Sequence, residues 1–250
     1  MQKQSLKKSI YVLPNLFTSM NLFCGYYSVF ASIHHKFFEA AVAVIIGAVF
    51  DLLDGKIARA THTTSKFGVE YDSLADLVTF GLAPAVLMVL WVLEPMGRPG
   101  WLAGFIFAAC GALRLARFNV STSAGPDFEG LPIPAAAAMN VSIVLFFDRM
   151  VMDPEPFRTA LLVLMFGLSF CMVSSFRYKS LKNVPFFKSM TFNKLVCLVL
   201  VFVAVAAEPC IILFGIFSLY VVSGPLVSLA SHFFPENRNE TRKSRSGKGI

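Results

Sequence analysis

Apolar residues run in blocks along this chain, separated by short polar or basic connections. Eight blocks stand out, at roughly 11–33, 38–60, 68–94, 99–118, 132–152, 156–176, 193–207 and 209–232. Most approach the length of about 20 residues that carries a helix across a bilayer. The expected fold class is therefore all-α, a polytopic membrane helix bundle with about eight transmembrane helices. Lys3, Lys7 and Lys8 precede the first block, as they would a signal peptide. Its apolar run is long and no small-residue cleavage site follows, so it reads as a retained helix. Phe186, Phe187 and Met190, flanked by Lys182, Lys188 and Lys194, predict a short interfacial helix. Residues 1–235 are expected to form one integral-membrane domain, and residues 236–250 a basic, disordered cytoplasmic tail.

Composition agrees with the blocks. Of the 250 residues, 56% are hydrophobic and only 15% charged, where a soluble domain carries about a quarter charged residues. The net charge of +7 lies between and beyond the apolar blocks, which points to orientation in a membrane and away from nucleic-acid binding. If the N-terminus, the tail and alternate connections share one side, that side holds eighteen of the Lys and Arg residues. The other side holds only Lys36, Arg98, Arg149 and Arg158. The positive-inside rule then makes both termini cytoplasmic, which needs an even number of spans. Trp91 and Trp101 fall where an outer aromatic belt would lie. The five cysteines are scattered singly through apolar stretches and read as packing residues.

Acidic residues change the picture from architecture to chemistry. The chain has 15, and five of them lie between positions 51 and 76. Ionisable groups inside a span are costly unless paired or hydrated, so they are functional candidates by default. At about 100° per residue, Asp51, Asp54, Gly55 and Ala58 share a face near the end of the second span, with Arg59 at its rim. Gly68, Asp72 and Asp76 share a face at the start of the third, because i, i+4 positions stack. A short turn over 61–66 lets the two faces oppose. Four carboxylates with one nearby arginine suit hard divalent cations such as Mg²⁺, Mn²⁺ or Ca²⁺. Two ions would balance them and could clamp a displacement at phosphorus. Arg59 offers a fork for a phosphate. An interhelical polar network or an ion path without chemistry stays open on spacing alone.

The run from Asp51 to Asp76 reads D-x₂-D-G-x₂-A-R-x₈-G-x₃-D-x₃-D, filled by Asp51, Asp54, Gly55, Ala58, Arg59, Gly68, Asp72 and Asp76. It resembles the signature of the CDP-alcohol phosphotransferase family, intact at every defining position. Further pieces resemble the phosphatidylserine synthase branch: L-P-N-L-F-T from Leu13, Y-D-S-L-A-D-L-V-T-F-G-L-A-P-A from Tyr71, L-A-R-F-N from Leu115, F-E-G-L-P-I-P from Phe128 and V-S-S-F-R-Y-K-S-L-K from Val173. They cover roughly the first 180 residues.

The resemblance implies that Asp51, Asp54, Asp72 and Asp76 bind metal, with Asp76 also the general base. It implies that Asn15, Thr18, Asp54, Gly55, Ala58, Arg59, Ser65 and Gly68 hold CDP-diacylglycerol, whose tails stay among the membrane lipids. An incoming alcohol attacks the lipid-side phosphorus and CMP leaves. A homodimer in a bacterial-type cytoplasmic membrane, its site facing the cytoplasm, is expected by the same likeness. For L-serine, Arg117 is the expected carboxylate partner, helped by Arg114 or Lys182, with Asn119 and Arg177 entering from the same side. Arg114 and Arg117 also fit plain head-group anchors. Two other readings remain: a sister enzyme using glycerol phosphate, inositol phosphate or choline, and a carboxylate-lined cation transporter.

Overall fold

A computed structural model describes residues 2–61, 65–120, 128–174, 176–178 and 207–233. Among these, seven helices carry almost the whole architecture. They are α1 (Gln2–Ile33), α2 (Phe37–Ala60), α3 (Lys66–Met96), α4 (Arg98–Val120), α5 (Ile133–Arg149), α6 (Glu155–Val173) and α7 (Pro209–Phe233). Two residue pairs, β1 (Phe128–Glu129) and β2 (Arg177–Tyr178), form a short antiparallel ladder. The fold is helical as expected, and α3, α4, α6 and the Pro209–Leu226 part of α7 are long and apolar enough to cross a membrane. The block at 193–207, the interfacial segment around Phe186 and the basic tail lie outside the described residues.

Short connections join α1 to α2 and α3 to α4. Lys36 N–H closes the first turn on the Ala31 carbonyl, and Gly97, at φ +64°, turns α3 into α4. The block expected to reach residue 152 stops as helix at Arg149. Val151 and Met152 instead bond back to Asp148 and Phe147 and turn the chain toward α6. α5 is the most enclosed element. Ile133, Ala136, Ala137, Val141, Ile143, Val144 and Leu145 are all buried there, between α2, α3 and α7. At the end remote from the acidic motif, Trp91 meets Phe147 edge-on at 5.6 Å, so this ring packs inward, while Trp101 is exposed.

α3 is continuous but not uniform. Leu77–Leu82 and Val89–Leu93 are wide turns with i→i+5 bonding, Ala83 N–H reaching Val78 and Glu94 N–H reaching Val89. Pro84 explains the first. It has no N–H to give the preceding turn, and a wide turn absorbs the missing bond. At the second, Arg158 of α6 donates Nε to the Val92 carbonyl at 3.0 Å. Polar backbone groups freed inside an apolar bundle are thus supplied with partners.

Candidate active site

The acidic motif gathers where α1, α2 and α3 meet. Ser65 caps α3, its side chain accepting the Gly68 N–H at 3.0 Å, as serine does at a helix start. That start sets Gly68, Asp72 and Asp76 at four-residue intervals on one face. The last turns of α2 supply Asp51 and Asp54 opposite. One oxygen from each of Asp51, Asp72 and Asp76 lies within 4.8 Å of the others. Asp54 stands at the edge of this group, buried, with Oδ2 accepting from the Thr18 hydroxyl of α1 at 2.8 Å.

The residues present fit a divalent cation. Asp72 Oδ1 is buried without a hydrogen-bond partner, which a native protein seldom leaves unexplained. Among the described residues no Lys or Arg bridges to these carboxylates. An all-oxygen set with an orphaned anionic oxygen suits a hard cation.

Beside the carboxylates opens a pocket of about 160 Å³, walled by Pro14, Asn15, Thr18, Asp54, Gly55, Ala58, Arg59, Ser65, Gly68, Val69 and Asp72. Every residue that the sequence assigns to the donor lipid is on that wall. Arg59 folds back over its own helix, so that a Cβ on Gly55 would lie 3.7 Å from its Nη2. A larger open cleft, about 680 Å³, lies at the other end of the bundle around Trp91, Phe147 and Asp148. It contains no residue of the motif.

A family model described as CDP-alcohol phosphatidyltransferase matches residues 11–173. The chain belongs to the CDP-alcohol phosphatidyltransferase family. Three relatives illustrate the match. A Helicobacter pylori (strain 26695) protein named CDP-diacylglycerol–serine O-phosphatidyltransferase is 36% identical over 235 residues, covering 92% of this chain and 98% of that protein. One of the same name from Bacillus subtilis (strain 168) is 32% identical over 171 residues, 68% of this chain and 92% of its own. The archaetidylserine synthase of Methanothermobacter thermautotrophicus is 35% identical over 174 residues, 68% of this chain and 70% of its own.

In this CDP-alcohol phosphatidyltransferase the matched segment spans α1 to α6, and so contains the carboxylates and the pocket entire. The residues expected to meet serine are less tightly gathered. Asn119, at the end of α4, donates Nδ2 to Ser73 Oγ at 3.0 Å and to Glu70 at 3.3 Å. This latches the last turn of α4 onto α3 beside Asp72, and exposed Arg117 is on that turn. Arg114 is half-buried, and its Nη1 donates to the Met172 carbonyl at the end of α6, 3.3 Å away. The backbone of Arg177 pairs with Glu129, and Gly130 N–H bonds Phe176, so the two cytoplasm-assigned loops run side by side next to Arg114. Lys182 lies outside the described residues.

Two residues of the site were not singled out by sequence. Tyr71 shares a hydrogen bond with Ser19 of α1 at 2.9 Å, tying the motif helix to its neighbour. Asn21 is fully buried and donates Nδ2 to Asp76 Oδ1 at 3.0 Å. A signal for it existed: a polar amide in an apolar block, one turn beyond Thr18, is costly there without a partner.

Proposed function

We propose that this enzyme transfers the phosphatidyl group of CDP-diacylglycerol to the hydroxyl of L-serine, releasing CMP. The observation that carries the reading is the carboxylate cluster set directly against the pocket walled by all the donor-assigned residues. Serine as acceptor is supported by the names of the three relatives, in each of which it stands.

In this reading Asp51, Asp54, Asp72 and Asp76 hold Mg²⁺ or Mn²⁺, with Ca²⁺ accepted by the same donors. A divalent cation bound there supplies positive charge to the pyrophosphate and to the departing CMP. Arg59 grips a phosphate through its fork, while Gly55, Ala58 and Gly68 let the nucleotide approach two helix backbones. Asn15 and Thr18 close on it from α1. Asp76 takes the proton of the serine hydroxyl. That oxygen bonds to the lipid-side phosphorus, and the bond from phosphorus to the CMP oxygen breaks with its electrons on CMP. Arg117 binds the serine carboxylate, assisted by Arg114 or Lys182, with Asn119 and Arg177 at the rim.

Release of CMP from CDP-diacylglycerol tests the whole reading. It is expected with serine and a divalent cation, and not with glycerol 3-phosphate, inositol phosphate or choline. A stronger response to one of those would make this a sister enzyme, and no CMP with any alcohol would leave the carboxylates as a cation path. In the same assay Arg117→Lys should raise the KM for serine roughly ten- to a hundredfold, the worth of a charge-assisted bidentate contact. Lysine keeps the charge but not the fork. Donor binding lost with serine saturation unchanged would put Arg117 in the phosphate site instead.

The proposal includes placement: about eight spans in a bacterial-type cytoplasmic membrane, both termini and the active site on the cytoplasmic side. It is supported by the eighteen-to-four distribution of Lys and Arg. In a cysteine-free background, Lys66→Cys should be labelled only from the cytoplasm and Pro95→Cys only from outside. The reverse pattern overturns the orientation.

A further inference from the structure

We infer that Asn21 is a positioning residue for Asp76, fixing the orientation of the carboxylate that receives the acceptor's proton. The inference rests on the proposed role of Asp76 as base, and adds to it what holds that base in place.

Asn21 grips α3 at the last residue of the motif and again inside the wide turn that follows it. Its Nδ2 donates to Asp76 Oδ1 at 3.0 Å, and its main-chain carbonyl accepts from the Thr79 hydroxyl at 2.9 Å. Thr79 is itself fully buried and belongs to the wide turn Leu77–Leu82. A carboxylate's last torsion is soft and broad, so Asp76 needs an outside partner to keep one oxygen aimed. A neutral amide is suited to the task. It supplies one directed donor, whereas Lys or Arg would bring a charge that competes with a cation for the same three aspartates.

The other end of the amide shows that packing alone does not account for it. Asn21 Oδ1 is buried with no hydrogen-bond partner, on the side of Gly47 of α2, where a Cβ would lie 3.1 Å away. A buried acceptor left unpaired lowers stability, and an apolar side chain of similar size would avoid that cost. One end of the amide thus goes unpaired, and the Asp76 contact is what the other end secures.

The test is Asn21→Leu in the full-length enzyme, with Asn21→Ala as a second variant should leucine not fit. The Tm should stay close to wild type for leucine, because removing the unpaired Oδ1 offsets the donor that Asp76 loses, and Mg²⁺-dependent CDP-diacylglycerol binding and the KM for serine should stay within about threefold. The kcat should fall roughly ten- to a hundredfold, as for a misplaced catalytic group. In an Asp76→Asn background neither change should lower turnover further. Wild-type kcat in a folded variant overturns the inference, as does a loss confined to Tm and KM. If Asp76→Asn itself keeps turnover, the base assignment fails. If Asp76→Asn is inactive while Asn21→Leu is normal, only the role of Asn21 fails.

Discussion

Asp76→Asn is expected to abolish phosphatidyl transfer while CDP-diacylglycerol still binds measurably. The change is nearly isosteric, and the new amide oxygen can still accept from Asn21, so the crossing of α1 and α3 is kept. What disappears is the oxygen proposed to take the hydroxyl proton. A serine hydroxyl is a poor acid, and loss of a positioned base costs on the order of 10²–10⁴ in rate. Asp51, Asp54, Asp72 and Arg59 remain at the proposed cation and phosphate sites. Asp72→Ala should show the complementary defect, because its oxygens belong to the ligand group and one of them has no other partner. Mg²⁺-dependent nucleotide binding, read by titration with and without a chelator, should weaken in Asp72→Ala and persist in Asp76→Asn. Near-normal turnover in Asp76→Asn removes it from the chemistry. Nucleotide affinity indifferent to a chelator removes the metal.

The carboxylate face was legible in the sequence because charge is rare in this chain and helical spacing is rigid. Once Asp51, Asp54, Asp72 and Asp76 sit on two helices joined by a short turn, little freedom is left in how they meet. The residues that the family resemblance assigns to the donor wall one pocket between these helices and α1, with Ser65 setting the start of α3. The two wide turns of α3 were not legible, since an apolar block looks alike whether its bonds skip four residues or five. Pro84 was the local hint for the first turn. Asn21 was less legible because an uncharged amide in an apolar block carries the same signal as a carboxylate only in weaker form.

The acceptor side was legible only as a set of basic residues at one end of the bundle. Spacing along the chain does not say which carbonyl a guanidinium will meet. Arg114 finds Met172, 58 positions away. That contact joins the end of α6 to α4, close to Gly130, which holds φ +78° against the Met172 and Ser174 carbonyls. Arg114 thus shapes the loops beside the site, whether or not it also touches serine, and Arg117 is the more exposed of the pair.

The second large effect belongs to an uncharged residue where α1 crosses α3. Gly25→Leu should prevent the enzyme from assembling a competent site, with a Tm well below wild type and little metal-dependent nucleotide binding. A Cβ on Gly25 would lie 2.5 Å from Thr79 Oγ1 and 2.8 Å from Thr79 Cα, and one on Gly47 would lie 2.7 Å from Thr79 Cγ2. Three helices therefore close on Thr79 through two glycines, directly above the Asn21–Asp76 contact. Small residues permit such backbone approach in membrane bundles. Because a backbone atom is among those struck, no rotamer change relieves the clash, and α1 must move away from α3. Overpacking of this kind costs about 1–3 kcal/mol and sometimes more, and the movement also separates Asn21 from Asp76 and Ser19 from Tyr71. Gly25→Ala should show a smaller loss, even though alanine favours a helix over glycine by about 1 kcal/mol. Gly167→Leu serves as the control, since a Cβ there meets nothing within 4 Å. If Gly25→Leu matches that control in Tm and nucleotide binding, α1 and α3 do not cross at this point, and the geometry that aims Asp76 must come from elsewhere.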